Sequence, residues 1–437
     1  MKNELNNSKT INSWAMFDWA NSSYNLTIGS AIFPIYYPIA AIALGSVNPE
    51  LIPIFGKLIP NSALYSYTLG LAFFILALLM PLLSGISDYK GNKKSFMVFF
   101  VLIGVTSCMS LYFFEIGAYW IGIIGFLFST LGYGGSLVFY NSYLIEIASP
   151  DKYDMISAKG FSLGYIGSVI LLIFNLSMFS FPEWYGNISG EEASRISFFS
   201  VGIWWFLFSI PAIINLPQSK IKNSGFDSTF LQGYKELKHI FIRIKKNQSI
   251  KRFLLSFFFY NMAAQTVMYL GALFGSVELK LESDALIITI LLIQLVAIPG
   301  AYTCAYISRK YGNVKSIMYI ISFWIIVCSY GYFVSDKLNF MILASLIGFV
   351  MGGIQANSRS TYAKLFPQEE KDTASFFSFY DVIDRTSTFI GTTVFGIIIQ
   401  FTGNMRNGLI FLIILFIISL FAMNNLKKVK PRELESI

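Results

Sequence analysis

The stretch ALYSYTLGLAFFILALLMPLLSGISDYKGNKK, residues 63–94, decides the fold. Its first part, 63–86, carries no charge and is long enough to cross a bilayer as a helix, which needs about 20 mostly apolar residues. It ends in Gly85-Ile-Ser-Asp88-Tyr-Lys-Gly91-Asn-Lys93-Lys94, and a second apolar run, 95–115, begins at once. Two spans joined by a short charged turn form a helical hairpin. Gly85 lets a neighbouring helix come close, and Gly91 supports the tight turn. Asp88 suits the N-terminus of a neighbouring helix, where the dipole favours an anion; a helix starting near 373 is the expected partner. Lys93 and Lys94 are expected to anchor in lipid headgroups. Such a turn can latch one side of a membrane protein in one state and release it in another.

Outward from this hairpin, the same pattern fills the chain. Candidate spans lie near 14–43, 63–86, 95–115, 119–146, 156–181, 196–216, 253–279, 284–307, 316–335, 339–364, 373–401 and 407–425. They are numbered 1 to 12 below. The apolar runs are continuous rather than alternating, so helices are expected and not a barrel. The 437 residues are 55% apolar, 17% aromatic and 13% charged. A soluble domain carries roughly 25% charge, and at half that density a chain of this length could not cover its surface. A large soluble enzyme is thereby excluded. A membrane enzyme is disfavoured too: there is no HExxH, no CxxC pair and no Gly-Lys-Ser/Thr phosphate loop. Cys108, Cys304 and Cys328 each sit in an apolar run, without metal spacing or a disulfide framework. No cofactor or metal is expected. The first 13 residues are polar and no short hydrophobic segment with a small-residue cleavage site follows, so span 1 is expected to persist.

The net charge is +8. In a membrane protein this reports basic cytoplasmic loops rather than nucleic-acid binding. With the N-terminus inside, most of the 32 basic residues fall on the cytoplasmic side, and only Lys57, Arg195, Lys280, Lys337 and Arg406 fall opposite. A miscounted span would scramble this asymmetry, so both termini are expected in the cytoplasm. The one long polar stretch, 217–252, is expected to link two bundles, 1–216 and 253–437. Within it Phe230, Tyr234, Leu237, Phe241 and Ile244 recur at helical spacing, with Lys235, Lys238, Arg243 and Lys245 between them. An amphipathic helix at the cytoplasmic face is expected. His239, the only histidine, lies there too, so proton coupling in the spans would have to use carboxylates.

The two halves repeat. Gly134-Gly135, Glu146 and Pro150 around span 4 correspond to Gly352-Gly353, Lys364 and Pro367 around span 10. The turn SDYKGNKKS (87–95) corresponds to SRKYGNVKS (308–316), with Arg309 in the acidic position, so the latch is expected on one side only. Two six-span halves are a transporter signature, with the substrate site between them near the midplane. Gly132, Gly134, Gly135, Gly352 and Gly353 permit close helix packing, and Pro34, Pro38 and Pro299 are expected to bend spans 1 and 8.

The turn at 85–94 resembles the loop between spans 2 and 3 of the major facilitator superfamily. The resemblance then narrows to the vacuolar amino-acid effluxers linked to autophagy, also called the unknown major facilitator family. It rests on SWAMFDWANSSYNLTIGSAIFPIYY (13–37), FYNSYLIEIA (139–148), GFSLGYIGS (160–168), YNMAAQTVMYLGALFG (260–275), QLVAIPGA (294–301), GGIQANSRSTYAKLFP (352–367) and SFFSFYDVIDRTSTFIG (375–391). It covers most of the chain. It implies a single-chain permease without a cofactor, and the fungal members suggest export of neutral amino acids. Relatives tend to carry an acid where this chain has Met262, and small or polar residues near Asp381 and Asp384.

A charge at a helix centre costs about 2.5–3.5 kcal/mol on insertion scales, so polar residues within the spans should face protein or water. In span 11, Asp381, Asp384, Arg385 and Thr388 share one face by i, i+3, i+4, i+7 spacing. Arg385 against two carboxylates leaves one acid in excess, which could bind a proton or a substrate ammonium; a structural ion pair is the rival reading. In span 1, Asp18, Asn21, Ser22 and Asn25 share a face, with Asp18 suited to a gate. In span 7, Asn261 and Gln265 are one turn apart, with Tyr269 a turn further. The superfamily resemblance implies that spans 1, 4, 7 and 10 line the cavity. The expected substrate contacts are therefore Asn21, Asn25, Tyr140, Asn141, Asn261, Gln265, Tyr269, Gln355 and Asn357. The expected gate and latch residues are Gly85, Asp88, Gly91, Lys93, Lys94, Asp18, Glu146, Arg359 and Lys364. Glu146 and Lys364 are repeat-equivalent and opposite in sign, which leaves a cross-bundle gate and separate local pairs both open. Asp381, Asp384 and Arg385 are the candidates for ion coupling.

The expected protein is an all-α polytopic membrane protein, twelve transmembrane helices in two pseudo-symmetric six-helix bundles. It is expected to act as a secondary transporter of small organic solutes by alternating access, with amino acids favoured by the resemblance and protons as a candidate coupling ion. A monomer in the plasma membrane is expected. The rival readings are a broad exporter of amphipathic compounds and a non-transporting sensor or scaffold on the same fold.

Overall fold

In lipid every backbone polar group needs an internal partner, and a chain built of long apolar runs satisfies this with helices. The computed structural model describes residues 5–54, 56–218, 229–281, 283–366, 372–402 and 404–426. Among the described residues, eleven helices are long and apolar enough to cross a membrane. They run Asn61–Lys90 (span 2), Lys93–Ser110 (3), Tyr119–Ile147 (4), Tyr153–Ser180 (5), Gly190–Asn215 (6), Gln248–Val277 (7), Ser283–Tyr311 (8), Asn313–Phe333 (9), Lys337–Lys364 (10), Thr373–Thr402 (11) and Met405–Leu426 (12). Most extend beyond the apolar runs, because polar turns such as 87–90 continue the helix before the chain reverses.

Span 1 completes the set of twelve. It is one helical path, but in three parts: Ser8–Ser23, a π-helical segment Tyr24–Ala31 and Ile32–Ala40. Neither α-helical part alone reaches the length of a span. The break has a local cause. Pro34 cannot donate to the carbonyl of residue 30 and its ring crowds it, so the helix widens just upstream. Asn61 Nδ2 then caps the outgoing end, donating to the carbonyls of Pro38 at 3.0 Å and Ala41 at 3.1 Å. Between spans 1 and 2 the chain forms an antiparallel hairpin, β1 (Leu51–Ile54) and β2 (Lys57–Pro60). Apolar content alone gave no hint of it.

The linker holds a helix, Thr229–Lys246, as its periodicity predicts. Ile240 and Ile244 are buried while Lys235, Lys238, His239 and Arg243 face outward. It packs against span 2, and Phe241 meets Phe379 of span 11 with ring centroids 6.0 Å apart. The side chains of Phe230, Tyr234 and Leu237 lie outside the described residues, as do Lys2, residues 219–228, the turn at 367–371 and the basic tail after Leu426.

Spans 1–6 and 7–12 form two lobes, which meet where span 2 packs on span 11 and span 5 on spans 8 and 10. Small residues bring backbones together. A Cβ on Gly352 would stand 2.1 Å from the Ala297 carbonyl, and one on Gly300 2.1 Å from that of Phe349, so spans 8 and 10 touch main chain to main chain. In the other lobe, a Cβ on Gly134 would meet Leu76 of span 2 at 2.4 Å. Gly134 and Gly352 thus face repeat-equivalent partners, spans 2 and 8.

Candidate functional site

Polar contacts between the lobes gather near the face at which span 1 begins and span 12 ends. Asp88 ends span 2 at the start of span 11 and accepts from the backbone N–H groups of Ser375 at 2.7 Å and Ala374 at 3.3 Å. An anion on free N–H groups at a helix start is favoured by both hydrogen bonding and the dipole. Gly91 closes span 2 in the left-handed region, φ 69°. Gly85 is buried one turn before Asp88.

Lys93 does not reach the lipid surface expected for it. It is buried, paired with Glu146 and bonded to Thr373, whose hydroxyl donates to Glu146 at 3.0 Å. A cation enclosed next to a carboxylate keeps its charge compensated where headgroups are out of reach. Lys94, half-buried, donates to the carbonyls of Leu216 at 3.0 Å and Ile214 at 3.3 Å at the end of span 6. Lys364 crosses the lobe boundary to Asp154 at 2.8 Å and, within its own lobe, donates to Asn313 Oδ1 at 2.7 Å. Asn313 Nδ2 donates to the other oxygen of Asp154 at 2.8 Å. Glu146 and Lys364 therefore do not pair with each other. Each anchors its own cluster, and each cluster includes a residue of the opposite lobe.

A further buried contact crosses the lobe boundary. Arg359 of span 10 inserts among spans 1, 4 and 5. Its Nη1 is 3.1 Å from Asp18 Oδ2 and 3.3 Å from Asn141 Oδ1, and its Nε and Nη2 donate to Ser157 Oγ at 2.9 Å and the Ser157 carbonyl at 2.8 Å. Tyr140 donates to the same oxygen of Asp18 at 2.7 Å. Tyr140 and Asn141, expected as substrate contacts, thus belong to this cross-lobe set.

A second polar group lies deeper, along span 11. Asp384 is eleven positions after Thr373, roughly 16 Å along the helix from its start. Asn261 Nδ2 donates to Asp384 Oδ1 at 2.8 Å and to Ser387 at 2.8 Å, and Gln265 Nε2 donates to the same Asp384 oxygen at 3.3 Å. The two amides of span 7 therefore hold this acid. Arg385 pairs with Asp381, Nη2 to Oδ1 at 3.3 Å. Its guanidinium faces the other lobe, 5.4 Å from the Phe73 ring of span 2, and a Cβ on Gly134 would come within 3.1 Å of it. Among the described residues, Asp381 Oδ2 and Arg385 Nε are buried without a hydrogen-bond partner. Tyr269 follows on span 7, partly exposed.

The remaining candidates are dispersed. Gln355 accepts from Tyr165 of span 5 at 2.6 Å, across the lobe boundary. Asn357 turns away from that boundary and donates to Ser316 at 2.7 Å and the Cys304 carbonyl at 3.3 Å. Asn21 is buried with its Nδ2 unpaired, and Asn25 lies in the π-helical segment. Sequence reasoning missed Asp154, Ser157, Thr373 and Trp14. Asp154 carried a signal, an acid at the start of an apolar run; the others are residue types too common to single out.

The chain matches the family described as "Vacuole effluxer Atg22 like" over residues 6–433. It belongs to that family. It is 34% identical to an uncharacterized MFS-type transporter, YxiO, of Bacillus subtilis, over 94% of this chain and 93% of that one. It is 26% identical to autophagy-related protein 22-1 of Aspergillus clavatus, over 84% of this chain and 74% of that one. The fold is that of the Escherichia coli fucose:proton symporter FucP, with TM-score 0.68, 12% identity and coverage of 96% of this chain and 98% of that one. The proton:xylose symporter XylE is equally similar, with TM-score 0.70, 11% identity and coverage of 96% and 95%. This member of the Atg22-like family is an integral membrane transporter of the major facilitator superfamily, and not an enzyme.

Proposed function

We propose that this Atg22-like protein moves small zwitterionic solutes, neutral amino acids foremost, by alternating access around Asp381, Asp384 and Arg385. One observation carries the reading. Arg385 and Asp381 pair through Nη2 and Oδ1, while Arg385 Nε and Asp381 Oδ2 are each buried with no hydrogen-bond partner among the described residues. Leaving buried donors and acceptors unpaired is costly. A zwitterion supplies both missing partners, its carboxylate to the guanidinium and its ammonium to the carboxylate. A sugar or a purely apolar solute supplies neither charge. The sequence resemblance to vacuolar amino-acid effluxers points the same way.

In this reading the amides of Asn261 and Gln265 fix Asp384 so that Asp381 and Arg385 stay aimed at the lobe boundary. Asp381 Oδ2 is also the oxygen free to accept a coupling proton. The Asp88, Lys93–Glu146, Lys364–Asp154 and Arg359–Asp18 contacts hold one face shut, and their release opens it. The excess of basic residues in the loops on that side supports a cytoplasmic orientation for it and for both termini, and the Bacillus relative points to the plasma membrane. A thermal-shift screen of the purified protein tests the substrate class, because a ligand of the native state raises its stability by mass action. Stabilisation by neutral amino acids supports the reading. Stabilisation by amphipathic drugs alone replaces it with a broad exporter.

A further inference from the structure

The pocket that Arg359 fills is built by the opposite lobe. Its guanidinium carbon lies 4.1 Å from the Phe161 ring centroid, 4.8 Å from Trp14 and 5.7 Å from Tyr140. Asp18 supplies the anion, while Ser157 and Asn141 supply three further acceptors. An acid, neutral acceptors and aromatic faces around one position form a receptor for a planar, delocalised cation.

The walls are fixed by contacts that do not involve Arg359. Trp14 Nε1 donates to the Tyr140 carbonyl at 3.0 Å, their rings stack with centroids 4.6 Å apart, and Tyr140 holds Asp18 at 2.7 Å. Gly160 supplies the space: a Cβ there would stand 2.4 Å from Asp18 Oδ2 and 2.8 Å from Arg359 Nη2. The receptacle therefore belongs to spans 1, 4 and 5, and Arg359 is a tethered occupant from the other lobe.

We propose that this receptacle is a second ligand site, specific for small guanidinium solutes, filled by Arg359 when the termini face is shut and by a free guanidinium when the lobes part there. The proposal rests on the alternating-access reading. A bound guanidinium blocks the return of Arg359, so such a solute on the termini side holds that face open and slows transport. A primary ammonium can meet Asp18 but cannot reach the acceptors of Ser157 and Asn141 in one plane, so it competes poorly.

The test is chemical rescue. Arg359→Ala leaves the receptacle vacant with Asp18 unpaired. Ethylguanidinium, well below denaturing concentration, is expected to raise its melting temperature by roughly 5 °C relative to sodium chloride at equal ionic strength. Ethylammonium should raise it far less, and the double variant Arg359→Ala/Asp18→Asn should not respond. If Arg359→Ala yields no folded protein, the readout becomes recovery of its yield when ethylguanidinium is present during extraction. No gain in melting temperature or yield, or an equal gain with Asp18→Asn added, overturns the site and leaves the transport reading standing. With rescue in hand, ethylguanidinium on the termini side should lower flux through the wild-type protein in proteoliposomes. Rescue without inhibition overturns the alternate occupancy. Rescue in a protein that carries no solute at all removes the transport reading and keeps the receptacle.

Discussion

Arg359 and Asp18 stand 341 positions apart in the chain and 3.1 Å apart in the fold, both buried, each contributed by a different lobe. Separating the lobes at this face withdraws a guanidinium from a carboxylate, a hydroxyl and a main-chain carbonyl at once. In the proposed alternating-access cycle such a contact is either fully made or fully broken, which would give the face two discrete states rather than a continuum.

Neutralising one member of this pair strands the other. Asp18→Asn is expected to lower folded-state stability by about 3–5 kcal/mol, the usual cost of an uncompensated buried charge. Adding Arg359→Gln should recover most of that loss. Thermal or denaturant unfolding of the two single variants and the double variant measures the coupling, and additive losses would contradict a direct pair.

Asp88 accepts two backbone N–H groups at the start of span 11. Asp88→Asn keeps the size and removes the charge, so the stability change should stay near 1 kcal/mol, the scale of a helix-terminus interaction. The transport rate should change while the protein still folds. Unaltered flux would show that the contact does not latch the closed face.

Gly352 meets the Ala297 carbonyl so closely that a methyl group cannot enter without moving the backbone. Gly352→Ala should destabilise the protein by about 1–3 kcal/mol through overpacking. Gly396, with nothing within 4 Å of an added Cβ, is the control: Gly396→Ala should be far better tolerated. Equal melting temperatures for the two variants would contradict the backbone contact between spans 8 and 10.

Gln265 and Asn261 both hold Asp384. Gln265→Ala removes the longer bond and leaves the shorter one. It should raise the half-saturation concentration several-fold with little change in stability. An unchanged value would take span 7 out of the binding site.

Asp381 Oδ2 is buried and unpaired among the described residues, whereas amides hold Oδ1 of the less buried Asp384. Asp381→Asn should therefore remove the dependence of uptake on an imposed pH gradient, and Asp384→Asn should weaken binding first. Proton dependence that survives Asp381→Asn would exclude it as the coupling acid.

The architecture was legible because its cause is local. Each apolar run needs only its own composition to become a helix in lipid, and the repeat between 87–95 and 308–316 declares the two lobes. The turn at Asp88 was readable for the same reason, since a short charged turn between two spans has few things to do. What sequence could not show were partners. Lys93 looked like a headgroup anchor because nothing in its own segment reveals that Glu146 and Thr373 would enclose it. Asn261 and Gln265 looked like free amides because Asp384, far along the chain, is their acceptor. The π-helical break in span 1 was half legible: Pro34 announces a bend, but where the helix widens depends on the packing around Tyr24, whose hydroxyl meets Thr130 at 2.8 Å.

The central claim is that this chain carries neutral zwitterionic amino acids through the site at Asp381 and Arg385. Counterflow tests it most directly: purified protein in proteoliposomes, loaded with an unlabelled neutral amino acid, given the labelled one outside. The account predicts transient accumulation of label with the wild-type protein, none with Arg385→Gln, and none for a sugar. Label no higher than in protein-free liposomes for every neutral amino acid, or accumulation undiminished by Arg385→Gln, would contradict it.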